Sequence, residues 1–115
     1  MTDHRFRLPP FQCQAVTKAL AETFDWSIVF GGIPELWKQS EGEGVVVAVL
    51  DTGVDESHPD LIGAIQERKD FSRSIFGSRD RQSHGTFCAG TIGARANGIG
   101  VRGLAPKSQL LIGKV

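Results

Sequence analysis

The chain has 115 residues, of which 40% are hydrophobic and 23% are charged, as expected of one small globular domain. Thirteen basic residues cancel thirteen acidic ones, which excludes the charge excess typical of proteins that bind nucleic acid or anionic membranes. No apolar run approaches the roughly 20 residues of a membrane span, and no apolar signal-peptide core follows the N-terminus. We therefore expect a cytoplasmic protein with no nucleic-acid or membrane partner.

The first third of the sequence predicts an extended arm followed by short helices. Pro9 and Pro10 oppose a regular helix at the start, and apolar residues at helical spacing predict a weak helix over 12–24. Pro34, placed early in the segment 33–40, predicts one or two further helical turns.

The stretch VVVAVL (45–50) predicts a strand. Its continuous apolar run is too short for a typical helix and favours a strand that is buried on both faces, as in a parallel sheet. Asp51 then lies at the carboxyl end of that strand, where sites collect in open α/β sheets. A short strand is expected over 65–71, and a polar surface loop with three arginines over 72–82.

A helix is expected over 84–95 with Ser83 as its N-cap, and another strand over 109–115. The small residues of this helix favour tight packing inside other structure. The segment GIGVRG (98–103) satisfies the letters of a dinucleotide fingerprint, but it follows the helix where that fingerprint must open one. We therefore expect no organic cofactor.

The tripeptide Asp51-Thr52-Gly53 is compatible with two protease chemistries. In a dimeric aspartic protease, two such aspartates share a water, and the chain is all-β. In a subtilisin-like serine protease, one such aspartate orients a histidine that acts as general base. A strand-end turn with a solvated aspartate is the non-functional interpretation.

The motifs that follow favour the serine protease. HPDL (58–61), HGTFCAGT (84–91) and NGIGVRGLAP (97–106) come in this order, and with them the chain resembles the subtilisin-like serine protease family over about 33–115. The resemblance implies an α/β fold of three layers, with a parallel sheet flanked by helices, of which about the first third is present. It also implies an N-terminal extension or pro-like arm over 1–27 and the N-terminal portion of the catalytic domain over 28–115.

The resemblance assigns catalytic roles to Asp51 and His84 and a structural role to His58. The family's nucleophilic serine and oxyanion asparagine lie far beyond the histidine, and neither motif occurs in these 115 residues. We therefore expect a fragment of a serine endopeptidase that is inactive in isolation and acts on polypeptides when completed. The alternative is a stand-alone, non-catalytic module that binds a peptide or a partner chain.

Other positions carry further expectations from the same resemblance. Asp60, Asn97 and the backbone at Ile99 and Val101 match positions that bind calcium in many family members, and such oxygen ligands suit a structural calcium ion. The segment RLPPF (7–11) resembles the inhibitory N-terminal segment of intracellular subtilisins. Some family members place a free cysteine at the position of Cys88, one helical turn after His84, which implies sensitivity to mercurials but no nucleophilic role. From its residue type, Cys88 is expected to be a small buried hydrophobe.

Overall fold

The structure is a computed structural model that describes residues 22–24 and 26–115. The expected N-terminal arm, its 7–11 segment and most of the helix expected over 12–24 lie outside the described residues. The division of the chain at residue 27 stays a prediction, although this position falls inside a helix.

The described elements comprise three helices, one 3₁₀ turn and three strands. In chain order they are α1 (Trp26–Phe30), α2 (Ile33–Trp37), β1 (Val46–Asp51), the 3₁₀ turn Pro59–Leu61, β2 (Ile65–Asp70), α3 (His84–Gly93) and β3 (Gln109–Lys114). The three predicted strands and the helix after residue 83 are confirmed to within two residues at each end, whereas α1 was not predicted. In the described part of the chain, no helix is long and apolar enough to cross a membrane.

The three strands form a parallel sheet in the order β1-β3-β2. Along the central strand the register runs from Val46 opposite Gln109 to Asp51 opposite Lys114. The predicted α/β class with a parallel sheet is therefore confirmed. The all-β fold that the aspartic-protease alternative requires is not found, so that alternative is wrong.

Helix α3 covers one face of the sheet and creates the core there. Ala89 of the helix is fully buried against a cluster that includes Val49, Leu110 and Ile112. The helix can approach so closely because its inner positions are small, and a Cβ on Gly93 would already lie 3.3 Å from Leu110. The small residues that the sequence singled out therefore set the helix-to-sheet distance.

The expected burial of β1 on both faces is not what the described residues show. Val49 faces α3 and is 7% exposed, whereas Val46 and Leu50 on the opposite face are 49% and 67% exposed. No described element packs on that second face of β1. The described residues thus supply the sheet and one helical layer, and the third layer stays a prediction.

Residues 22–24 are not helical, although the sequence predicted helix as far as residue 24. Thr23 forms an isolated parallel bridge with Val101, and the Phe24 ring lies 5.5 Å from that of Trp37. Contacts with residues far along the chain thus determine this segment's conformation. Helix α3 likewise ends at Gly93, earlier than residue 95, because Ala94 turns extended and its carbonyl accepts from Gly103 N–H at 3.0 Å.

The close approach of α3 to the end of β1 predicts opposite outcomes for two glycines of the helix. A Cβ on Gly85 would overlap the Gly53 carbonyl, so Gly85→Ala should destabilise the chain by about 1–3 kcal/mol or more. No described atom lies within 4 Å of a Cβ on Gly90, so Gly90→Ala should stabilise the helix by up to about 1 kcal/mol. Urea unfolding of both variants tests this, and equal effects would contradict it.

Candidate active site

Asp51 and His84 meet where the carboxyl end of β1 faces the first residue of α3. Both oxygens of the Asp51 carboxylate lie 2.9 Å from Nδ1 of the imidazole. The aspartate side chain is 18% exposed and the histidine side chain is 66% exposed. One ring nitrogen therefore faces a sheltered carboxylate while the Nε2 side of the ring is accessible.

The Asp51 carboxylate is held in its ionised form. The contact with His84, followed by the hydrogen bond from Thr52 N–H at 2.6 Å, lowers the pKa of Asp51 below its usual value. A carboxylate fixed in this way favours the imidazole tautomer that carries its proton on Nδ1. That leaves a lone pair on Nε2, which is the arrangement a general base needs.

A second carboxylate, Asp80, joins the two elements that carry the pair. Its Oδ1 accepts from the Thr52 hydroxyl at 2.9 Å, and its Oδ2 accepts from the Thr86 hydroxyl at 2.6 Å and the Thr86 N–H at 2.8 Å. The Thr52 hydroxyl in turn accepts from Gly85 N–H at 2.9 Å. The threonines that follow Asp51 and His84 in the sequence thus converge on one acceptor.

Asp80 also fixes the backbone just before α3. Its Oδ1 accepts from the N–H groups of Gln82 and Ser83, both at 2.9 Å. Burial raises the pKa of Asp80, but the hydrogen bonds from Thr86, Gln82 and Thr52 outweigh it and hold the pKa at about 2. Sequence reasoning placed this residue in a polar surface loop. The sequence feature that could have indicated this role is a lone aspartate four residues before His84.

The prediction that Ser83 caps the helix with its side chain is wrong. Ser83 adopts a left-handed conformation with φ of 65°, and its side chain makes no capping hydrogen bond. Asp80 receives the Thr86 N–H, which such a cap would satisfy. A serine before a helix is a frequent cap, but here an aspartate three residues earlier accepts from the Thr86 N–H.

The remaining histidine of the described chain lies apart from the pair. Nδ1 of His58 accepts from Asp60 N–H at 3.2 Å, which caps the 3₁₀ turn. This contact accords with the structural role expected for His58. Its neighbour Asp60 is buried, with 4% exposed.

The residues expected to bind calcium lie together around the Asp60 carboxylate. This carboxylate accepts from Val101 N–H at 3.0 Å and from the Asn97 amide at 3.3 Å, and Asn97 Oδ1 accepts from Ile99 N–H at 3.1 Å. A Cβ on Gly100 would overlap the carboxylate, so the loop can approach it only with glycine there. This buried carboxylate forms no ion pair with any described residue.

A wide groove of about 1410 Å³ runs beside α3, but it is not centred on the pair. Its walls include Ile28 of α1, Phe87 of α3 and Leu104, and neither Asp51 nor His84 lines it. The geometry of the carboxylate and imidazole, rather than the volume of this groove, therefore identifies the candidate active site.

Comparisons with known proteins agree with the geometry. The model of the subtilase family matches residues 42–115. An intracellular serine protease of Paenibacillus polymyxa is 48% identical over 86 residues, which cover 71% of this chain and 26% of that protein. The major intracellular serine protease of Bacillus subtilis is 47% identical over 87 residues, which cover 71% and 27% of the two chains.

A solved structure shows the same fold. Fervidolysin from Fervidobacterium pennivorans, described as a keratinolytic enzyme related to subtilisin, matches with a TM-score of 0.58 at 35% identity. The match covers 70% of this chain and 13% of that one. This chain spans about a quarter of the length of the two bacterial intracellular proteases.

The position of Asp80 predicts that Asp80→Asn loosens the site and reduces its acid sensitivity. The asparagine amide would turn an N–H₂ group towards the N–H and hydroxyl donors that now surround the carboxylate. The free energy of unfolding should therefore fall by about 1–3 kcal/mol at neutral pH. The depressed pKa of Asp80 stabilises the fold above about pH 4, and this contribution is lost as pH falls towards 2.

Urea unfolding between pH 2 and pH 7 measures both effects. Asp55→Asn is the matched control, because the exposed Asp55 carboxylate accepts, among the described residues, only from Ser57 and so does not join β1 to α3. Equal losses of stability in the two variants would contradict the role given to Asp80.

Proposed function

The chain belongs to the subtilase family of serine proteases, and from that premise we propose that Asp51 and His84 are two of the three members of an endopeptidase triad. The observation that supports this proposal is the contact of the Asp51 carboxylate with Nδ1 of His84, with the rest of the ring accessible. The third member, a serine, would come from outside residues 1–115. Polypeptides are the substrate class that the family implies.

The chemistry of the pair follows from the two ring nitrogens of His84, of which Nδ1 faces Asp51 and Nε2 would face the serine. Nε2 of His84 would take the proton of the serine hydroxyl as that oxygen attacks the peptide carbonyl, and later return it to the leaving amine. Asp51 would keep Nδ1–H in place and stabilise the imidazolium that forms. Asp80 would act indirectly, because its hydrogen bonds to Thr52 and Thr86 fix the backbone that carries Asp51 and His84.

The isolated 115-residue chain is expected to be inactive. A carboxylate and an imidazole without a nucleophile and an oxyanion donor cannot form the acyl-enzyme through which this class hydrolyses peptides. The two bacterial relatives are named intracellular proteases, and we extend this to a cytoplasmic location for this chain.

A chimera tests the catalytic proposal. Residues 42–115 would replace the matching segment of the Bacillus subtilis relative, and peptide hydrolysis should be retained. His84→Ala or Asp51→Asn in this chimera should reduce kcat by about 10⁴-fold or more, whereas His58→Ala should leave it nearly unchanged. A folded but inactive chimera would favour the non-catalytic module, and turnover that does not depend on His84 would contradict the role given to this residue.

We also propose that Asp60 and Asn97, with backbone carbonyls at Ile99 and Val101, bind a structural calcium ion. A saturating calcium concentration of about 100 times Kd should raise the free energy of unfolding by about 2.7 kcal/mol, and a chelator should reverse the gain. Asp60→Asn should abolish the response, whereas Asp70→Asn, at the end of β2, should preserve it. Melting curves with calcium and with chelator measure this, and a calcium response in Asp60→Asn would contradict the site.

A further inference from the structure

A cysteine thiol lies beside the candidate catalytic pair. Sγ of Cys88 is 3.8 Å from Nδ1 of His84, the same nitrogen that the Asp51 carboxylate contacts at 2.9 Å. One ligand atom from each of the three residues lies within 4.8 Å of the others. A carboxylate, an imidazole and a thiol thus converge on one point.

The spacing of these atoms is close to that of a tetrahedral metal site. With Zn–N and Zn–O bonds of about 2.0 Å and a Zn–S bond of about 2.3 Å, tetrahedral ligand atoms lie roughly 3.3–3.6 Å apart. The observed distances of 2.9 Å and 3.8 Å bracket these values. Shifts of a few tenths of an ångström would therefore admit an ion where the Nδ1 proton now lies.

We propose that Asp51, His84 and Cys88 form a three-ligand site for a zinc-class divalent cation, in which the imidazole binds through Nδ1. Carboxylate, imidazole and thiolate are all ligands that zinc accepts. Water would supply the fourth ligand of a tetrahedral ion. This proposal rests on the geometry of the three side chains and needs no nucleophilic serine.

Binding of the divalent cation releases one proton from the site. The thiol of Cys88 loses its proton to solvent and becomes the thiolate that coordinates the ion. The neutral imidazole keeps one proton, but this proton must move from Nδ1 to Nε2 because Nδ1 now donates its lone pair to the metal. Burial, and then the nearby Asp51 charge, raise the pKa of the Cys88 thiol, so the metal-free site holds a neutral thiol.

The tautomer that results is the reverse of the one needed for catalysis. A general base needs its lone pair on Nε2, and the metal-bound ring carries a proton there. An occupied site would therefore prevent His84 from accepting the serine proton. This consequence, unlike the site itself, depends on the catalytic function proposed above.

Cobalt(II) is the probe for the site, because a thiolate bound to it gives a charge-transfer absorption band. The 115-residue chain should develop this band, and added zinc should remove it by competition. Cys88→Ser should abolish the band, whereas Cys13→Ser, at the chain's only other cysteine, should retain it. Asp51→Asn should weaken cobalt binding by more than about tenfold.

Ring-nitrogen NMR of the unmodified chain gives an independent result if a variant fails to fold. Zinc should convert His84 to the tautomer protonated on Nε2, with Nδ1 showing the shift of a coordinated nitrogen. Absence of the cobalt band, its persistence in Cys88→Ser, or coordination through Nε2 would each overturn the proposal. A chain that binds cobalt as expected while its chimera is inactive would refute the catalytic proposal alone.

Discussion

The geometry of the rest of the site depends on the hydrogen bonds that the Asp80 carboxylate accepts. This carboxylate receives hydrogen bonds from Thr52, which follows β1, and from Thr86, in the first turn of α3. These elements are separated in sequence by the whole of β2 and its loops, so local structure alone cannot set their distance. The absence of a side chain at Gly85 lets the helix start lie against the Gly53 carbonyl. The hydrogen bonds to Asp80 and the absence of a side chain at Gly85 together fix the junction, which is the place where the end of β1 meets the start of α3.

The geometry of Asp51 and His84 follows from that junction. Asp51 ends the strand and His84 begins the helix, so the rigid backbone on each side determines which ring nitrogen meets the carboxylate. The same helix places Cys88 one turn further on, near the same nitrogen. Protonation of Nδ1 and metal binding to Nδ1 are therefore mutually exclusive states of one atom.

The two faces of the sheet differ in how well the described residues cover them. The face towards α3 is closed by small helical residues and by Leu110 and Ile112 of the central strand, whereas Val46 and Leu50 of β1 are exposed on the other face. Exposed apolar strand residues gain stability only when another layer covers them. Among the described residues the candidate pair is thus mounted on the covered side of the sheet.

The sequence alone determined the strands, the small-residue helix and the pairing of Asp51 with His84. Runs of apolar residues are local signals, and the ordered motifs are specific to one family. Tertiary structure decided what depends on distant partners. Thr23 bridges to Val101, Asp80 replaces Ser83 as the acceptor at the helix start, and among the described residues β1 is covered on one face only. Hydrogen-bond partners and burial are properties of positions brought together in space, and a lone aspartate in a polar loop carries no mark of the donors it will meet.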